Sequence, residues 1–227
     1  MAQGLAAAIW DVDGTLVDTA ELHYAAWVEL ARQIEKPFTR ADFAATFGRR
    51  NPEIIRGLFD ADATEQYVAE IGERKERIYR EAALRQGIAL LPGVADLLAG
   101  LHNRGVRQAV GSSAPQANLE MILDATHTRT YFEAIVAMED TIRGKPDPDV
   151  FLVAANKLGI DPERCVVLED AVAGVQAAKA ARMQCVAVRF VGHHATDVLR
   201  AAGADRVVES LTDVDAESLA SLWFTKA

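Results

Sequence analysis

From about residue 88 onward, short apolar runs alternate with segments whose apolar residues recur every three or four positions, a pattern that predicts strand-helix units. Val94, Leu97, Leu98 and Leu101 lie at helical spacing, and Gly105 follows as a helix stop. Residues 106–110 then read as a strand, and Pro115 opens a helix at its first position that runs to about residue 123. Residues 134–137 form a short apolar strand. Asp147-Pro148 supplies an N-cap and a first-turn proline for a helix ending near Leu158, with Gly159 beyond it. The pattern continues with a strand at 165–168, an alanine-rich helix at 173–181, a strand at 185–188, a helix at 196–202 and a last strand at 206–208. At the other end of the chain, Ala6-Ala7-Ala8-Ile9-Trp10 is an unbroken apolar run that reads as a buried first strand. Such alternation argues for a mostly parallel sheet covered on both faces, an α/β fold with a Rossmann-like core.

Residues 20–87 break the alternation. Leu22, Ala26, Leu30 and Ile34 form one helical stripe with Trp27 beside it. Thr39 with Asp42 suggests a capped second helix, Asn51-Pro52 begins a third, and a long charged helix spans about 64–86. The economical reading is an α-helical cap inserted between the first strand and the rest of the core. The catalytic core would comprise residues 1–18 and 88–227, and the cap residues 19–87.

Composition narrows the partners. The 227 residues carry a net charge of -9, which argues against nucleic acid or an anionic membrane but not against a small phosphorylated substrate. The two cysteines, Cys165 and Cys185, each begin a short apolar run and read as buried thiols in strands. The N-terminus lacks a basic segment followed by an apolar one, and no apolar run approaches the length of a membrane span, so a cytoplasmic protein is expected.

Ligands of open parallel sheets bind beyond the carboxyl ends of the strands, and the polar residues fall there. Asp11-Val12-Asp13-Gly14-Thr15 follows the first strand, Ser112 and Ser113 the second, Lys145 lies in the loop after the third, and Glu169-Asp170 follows the fourth. Two carboxylates as close as Asp11 and Asp13 raise each other's pKa unless a cation or firm hydrogen bonds compensate. Each group also has a plainer reading: a turn at Asp11–Thr15, a helix cap at Ser112-Ser113, a solvated loop lysine at Lys145, an acidic pair favoured by a helix dipole at Glu169-Asp170. Their joint position at one sheet edge favours a site.

This set resembles the haloacid dehalogenase superfamily, in its magnesium-dependent phosphatase branch with a helical cap. The resemblance spans essentially the whole chain, in the family's order and spacing; Trp10, where phenylalanine is more usual, departs from it in packing only. It implies Asp11 as the nucleophile that becomes an aspartyl-phosphate and Asp13 as the acid/base. It implies Mg²⁺ as the cofactor, held by the Asp11 side chain, the Asp13 carbonyl and Asp170, with Glu169 nearby. Ser112, the Ser113 amide and Lys145 would hold the phosphoryl group. An all-oxygen site suits Mg²⁺, and a phosphate dianion cannot approach several carboxylates without a cation.

The cap should choose the substrate. Val68, Ile71, Lys75, Ile78 and Ala82 fall on one helical stripe, so Lys75 either faces the cleft or snorkels to water. His23, one turn from Trp27, is a substrate or acid/base contact or an ordinary surface histidine. Arg49, Arg50 and Asn51 could meet the leaving group or form a solvated turn. Within the superfamily, the segment from Asp18 to Trp27 and Arg74-Lys75 resemble the β-phosphoglucomutase-like group, where residues at the positions of His23 and Lys75 tie cap closure to substrate binding. The expected activity is a phosphatase acting on a small phosphorylated metabolite, a sugar phosphate in particular, with the protein acting as a monomer. The alternative is a mutase interconverting sugar 1- and 6-phosphates. A phospho-receiver module or an idle regulator of the same fold fits less well, since the helical insertion and the complete motif set have no use there.

Overall fold

The apolar runs become six parallel strands in the order β3-β2-β1-β4-β5-β6. They are β1 (Ala7–Trp10), β2 (Arg107–Gly111), β3 (Ala134–Val136), β4 (Cys165–Glu169), β5 (Gln184–Val188) and β6 (Arg206–Val208). In this computed structural model residues 4–223 are described. The order reverses at β1, which pairs with β2 on one side and β4 on the other, with Ile9 opposite both Ala109 and Val167. Such a reversal leaves a crevice outside the strand ends.

Both sheet faces are buried, which is why the strands read as continuous apolar runs rather than alternating ones. Ala8, Trp10, Val110 and Leu168 pack on one side beneath the helices α5 (Val94–Asn103) and α6 (Gln116–Ala125). Ala7, Ile9, Ala109 and Val167 pack on the other beneath α7 (Asp149–Leu158) and α8 (Val172–Ala180). Cys165 and Cys185 are free, buried thiols in β4 and β5. The Trp10 indole N–H, fully buried, donates to Gln108 Oε1 at 3.0 Å, and Gln108 in turn donates to the Leu98 carbonyl at 3.0 Å. A wider ring at this position thus comes with a buried amide that satisfies its donor.

Between β1 and α5 the chain forms only helices: α1 (Ala20–Gln33), α2 (Arg40–Thr46), α3 (Asn51–Ile54), which passes into a π-helical turn over Ile55–Phe59, and α4 (Glu65–Gln86). Thr39 and Asp42 form the expected capping box of α2, and Thr64 caps α4. Ala20, Trp27, Leu30, Phe43, Ile55, Phe59, Val68 and Ile71 make an apolar cluster of their own. Local differences from the sequence reading are small. Pro115 and Pro148 occupy the N-cap positions of α6 and α7 rather than the first helical turn, since each precedes the first residue with helical hydrogen bonding. Two short helices, α9 (Thr196–Ala201) and α10 (Ala216–Ala220), complete the set; α10 has too few apolar residues for its period to be read. Among the described residues no helix is long and apolar enough to cross a membrane.

Candidate active site

Asp11 leaves the end of β1, its amide bonded to the Leu168 carbonyl at 3.0 Å, so the carboxylate emerges at the topological switch point. Lys145 meets it there. Its ammonium donates to Asp11 Oδ1 at 2.5 Å and to Glu169 Oε1 at 2.6 Å, and it is 4% exposed, which rules out a solvated loop lysine. Glu169 spends its other oxygen on the backbone amides of Asp170 at 2.7 Å and Ala171 at 2.6 Å. Gly174 in α8 makes room for this arrangement, for a Cβ there would lie 1.7 Å from Glu169 Oε1. A glycine inside an alanine-rich helix was the available sequence signal.

Asp11, Glu169 and Asp170 are buried together, with one oxygen from each lying within 4.8 Å of the others. One buried ammonium cannot neutralise three carboxylates. Burial, with Glu169 and Asp13 adding to it and Lys145 opposing, pushes the Asp11 carboxyl up to about 7. Burial and the neighbouring Glu169 and Asp11 raise Asp170 well above the carboxylate range. Asp170 Oδ2 is buried without a hydrogen-bond partner, and a Cβ on Gly14 would come within 2.1 Å of it. Clustered hard oxygens with an orphaned acceptor suit a small divalent cation such as Mg²⁺. The Asp13 side chain lies outside this cluster and is engaged elsewhere.

Ser112 is buried, its amide bonded to Val136 and its Oγ accepting from the Ala114 amide at 3.1 Å, so the hydroxyl proton is left to donate into the cleft. Ser113 lines the same pocket.

Asp13 faces the cap. Thr19 Oγ1 donates to its Oδ1 in a short bond, and His23 Nε2 stands 3.4 Å from the same oxygen. Burial alone would raise the Asp13 carboxyl, but His23, Thr19 and Lys75 outweigh it and hold it below its usual value. The His23 ring lies 3.9 Å from that of Tyr79, nearly parallel. Lys75 is 2% exposed, so it faces inward; its ammonium reaches His23 Nδ1 at 2.7 Å and Glu76 Oε1 at 2.8 Å. An ammonium only donates, so where it bonds the ring Nδ1 must accept, and Nε2 is then the atom that can donate towards Asp13.

Glu76 was not singled out by its sequence position. It accepts from Asn51 Nδ2 at 2.7 Å and from Asn118 Nδ2, on core helix α6, at 2.6 Å. Burial works against its charge, but Lys75, His23 and Asn51 prevail and lower it to about 2. Arg49 is exposed at the pocket rim. Trp27, Phe43, Phe47 and Ile54 give the cap side of the pocket an apolar wall.

A switch-point site of carboxylates, a lysine and a serine beneath a helical lid defines an α/β enzyme core with an inserted cap. The family model for haloacid dehalogenase-like hydrolases matches residues 5–182, and the chain belongs to that family. It is 35% identical to the β-phosphoglucomutase of Bacillus subtilis strain 168 over 223 residues, covering 96% of this chain and 95% of that protein. It is 32% identical to the fructose-1-phosphate phosphatase YqaB of Escherichia coli K12 over 191 residues, 84% of this chain and all of that one. The crystal structure of CbbY from Rhodobacter sphaeroides in complex with phosphate aligns with a TM-score of 0.83 at 30% identity, covering 95% of this chain and 99% of that one.

Proposed function

We propose that this protein is a Mg²⁺-dependent phosphatase that cleaves a small phosphorylated metabolite, a sugar phosphate, through a phosphorylated Asp11. The observation that carries the reading is the division of labour between two carboxylates. Asp11 is fixed at 2.5 Å by Lys145 beside an acidic cluster, while Asp13, two residues on, is held by cap-side donors. Asp11 attacks phosphorus and the bond to the leaving oxygen breaks. Asp13 gives that oxygen a proton, then takes one from the water that hydrolyses the acyl phosphate. An arriving dianion favours the protonated acid that the first step needs. Ser112 and Lys145 bind phosphoryl oxygens, and the closed cap excludes bulk water. Mg²⁺ would be held by Asp11, the Asp13 carbonyl and Asp170, with Glu169 beside them. When bound, it offsets negative charge and polarises the phosphoryl group.

The test is phosphate release from an aryl phosphate and from a panel of sugar phosphates, with and without Mg²⁺. Turnover should need the metal and vanish in Asp11→Asn, whose amide is a poor nucleophile. No release above the metal-free control would refute the reading.

A mutase draws support from the cap: His23 stands 3.4 Å from Asp13 and is itself held by Lys75, which ties the acid/base to cap residues. The 35% identity to a β-phosphoglucomutase supports it as well. β-Glucose 1-phosphate separates the two: a mutase forms glucose 6-phosphate faster than free phosphate, and a phosphatase the reverse.

A further inference from the structure

Arg50 lies beside the rim arginine Arg49 but turns the other way. It is 8% exposed and reaches across the cleft to the core. Its Nη1 donates to the carbonyls of Thr141 at 3.1 Å and Ile142 at 3.2 Å, and Nη2 donates to the Arg143 carbonyl at 2.9 Å. Nη2 also donates to the Thr141 hydroxyl in a short bond. Three successive loop carbonyls and one hydroxyl thus converge on one planar cation, four acceptors for the four Nη protons of a guanidinium, where an ammonium has only three donors.

The next residues are Gly144 and Lys145. A Cβ on Gly144 would lie 2.8 Å from Glu53 Oε1 and 2.9 Å from Arg50 Cδ and Nε. The cap therefore sits directly on the backbone that precedes Lys145. The lysine stem starts there, and its ammonium ends between Asp11 and Glu169.

We propose that Arg50 is a positioning residue, through which the closed cap grips residues 141–144 and sets the place of the Lys145 ammonium at Asp11. When the cap lifts, these carbonyls face water and the loop keeps only its own ties, those of Arg143 to Asp147 and Asp149. Charge neutralisation at Asp11 is then completed only with the cap down. Arg50 acts through Lys145 and touches no reacting atom. The proposal rests on the phosphoryl-transfer reading for what Lys145 does, but not for the grip itself.

The grip can be read without turnover. Trypsin can cut after Arg143, whose side chain is 66% exposed, whereas the following Lys145-Pro146 bond resists it. With Mg²⁺ and inorganic phosphate present, Arg50→Ala should be cut at Arg143-Gly144 about tenfold faster than wild type. Cleavage after Arg182, an exposed core site, should be unchanged, and so should the thermal midpoint of the core. On an aryl phosphate, kcat should fall about 10- to 100-fold with a smaller change in KM, as expected when a group is misplaced in the transition state. Arg50→Lys, which can serve some of the carbonyls, should restore part of both losses. Equal cleavage rates in wild type and Arg50→Ala, or an unchanged kcat, would overturn the proposal. If wild type shows no turnover yet protection of Arg143 still depends on Arg50, the grip stands and the phosphatase reading falls.

Discussion

Asp170 carries a cost in local stability that its place in the proposed site accounts for. Its carboxylate is buried among Glu169 and Asp11, with one oxygen unpartnered. A carboxyl whose pKa is raised by folding destabilises the fold at every pH above its ordinary value. Asp170→Asn should therefore melt higher than wild type in EDTA, by about 2–4 °C per kcal/mol relieved. Its Mg²⁺-dependent turnover should fall about 100-fold or more. Glu76 has the opposite sign. Folding lowers it from 4.5 to about 2, so its contribution is fully present above about 4.5 and is lost as the pH falls towards 2. Glu76→Gln should cost about 3 kcal/mol at neutral pH, and urea melts should show that difference shrinking between about pH 5 and pH 3.

At the scale of elements, α8 and α4 place these groups. A helical glycine normally weakens a helix by about 1 kcal/mol relative to alanine. At 174 the balance reverses, because an added methyl would displace a buried carboxylate that bonds Lys145 and two amides. Gly174→Ala should destabilise the protein by about 2–4 kcal/mol and remove turnover, checked by thermal melts alongside the phosphatase assay. Helix α4 is buried on two sides. Val68 and Ile71 face the cap cluster, while Glu76 and Arg80 reach Asn118 on α6, Arg80 Nη1 at 3.1 Å. A single apolar stripe therefore describes only half of what this helix touches. That is why Lys75 stood out in the periodic pattern and Glu76 did not.

In the whole molecule, cap and core meet through a polar set, Arg50 on the 141–143 carbonyls, Glu76 and Arg80 on Asn118, His23 beside Asp13, and a smaller apolar one in which Met121 of α6 packs against the Leu22, Ala26, Tyr79 and Ala83 cluster. A polar junction can part and re-form, as a site that admits substrate and then excludes water must. Ligands that hold the junction closed should stabilise the fold. Mg²⁺ with phosphate at about 100 times the apparent Kd should add about 2.7 kcal/mol and raise the melting midpoint by about 5–10 °C, reversed by EDTA. Asp11→Asn should lose most of that shift.

The division between what was legible in the chain and what was not follows from the kind of information each residue carries. Apolar runs and helical spacing mark how a residue sits relative to its own strand or helix, and motifs at strand ends inherit a common edge from the parallel sheet. Local patterning was therefore enough to read the alternating core, the helical insertion and the convergence of Asp11, Ser112, Lys145 and Glu169-Asp170. It could not say which element covers a given face of the cap. Only the tertiary structure turned Lys75 inward onto His23 rather than out to water, recruited Glu76 through Asn118, and sent Arg50 to the core while Arg49 stayed at the rim. Those choices depend on a second surface, contributed by residues far away in the chain, and no local period records it.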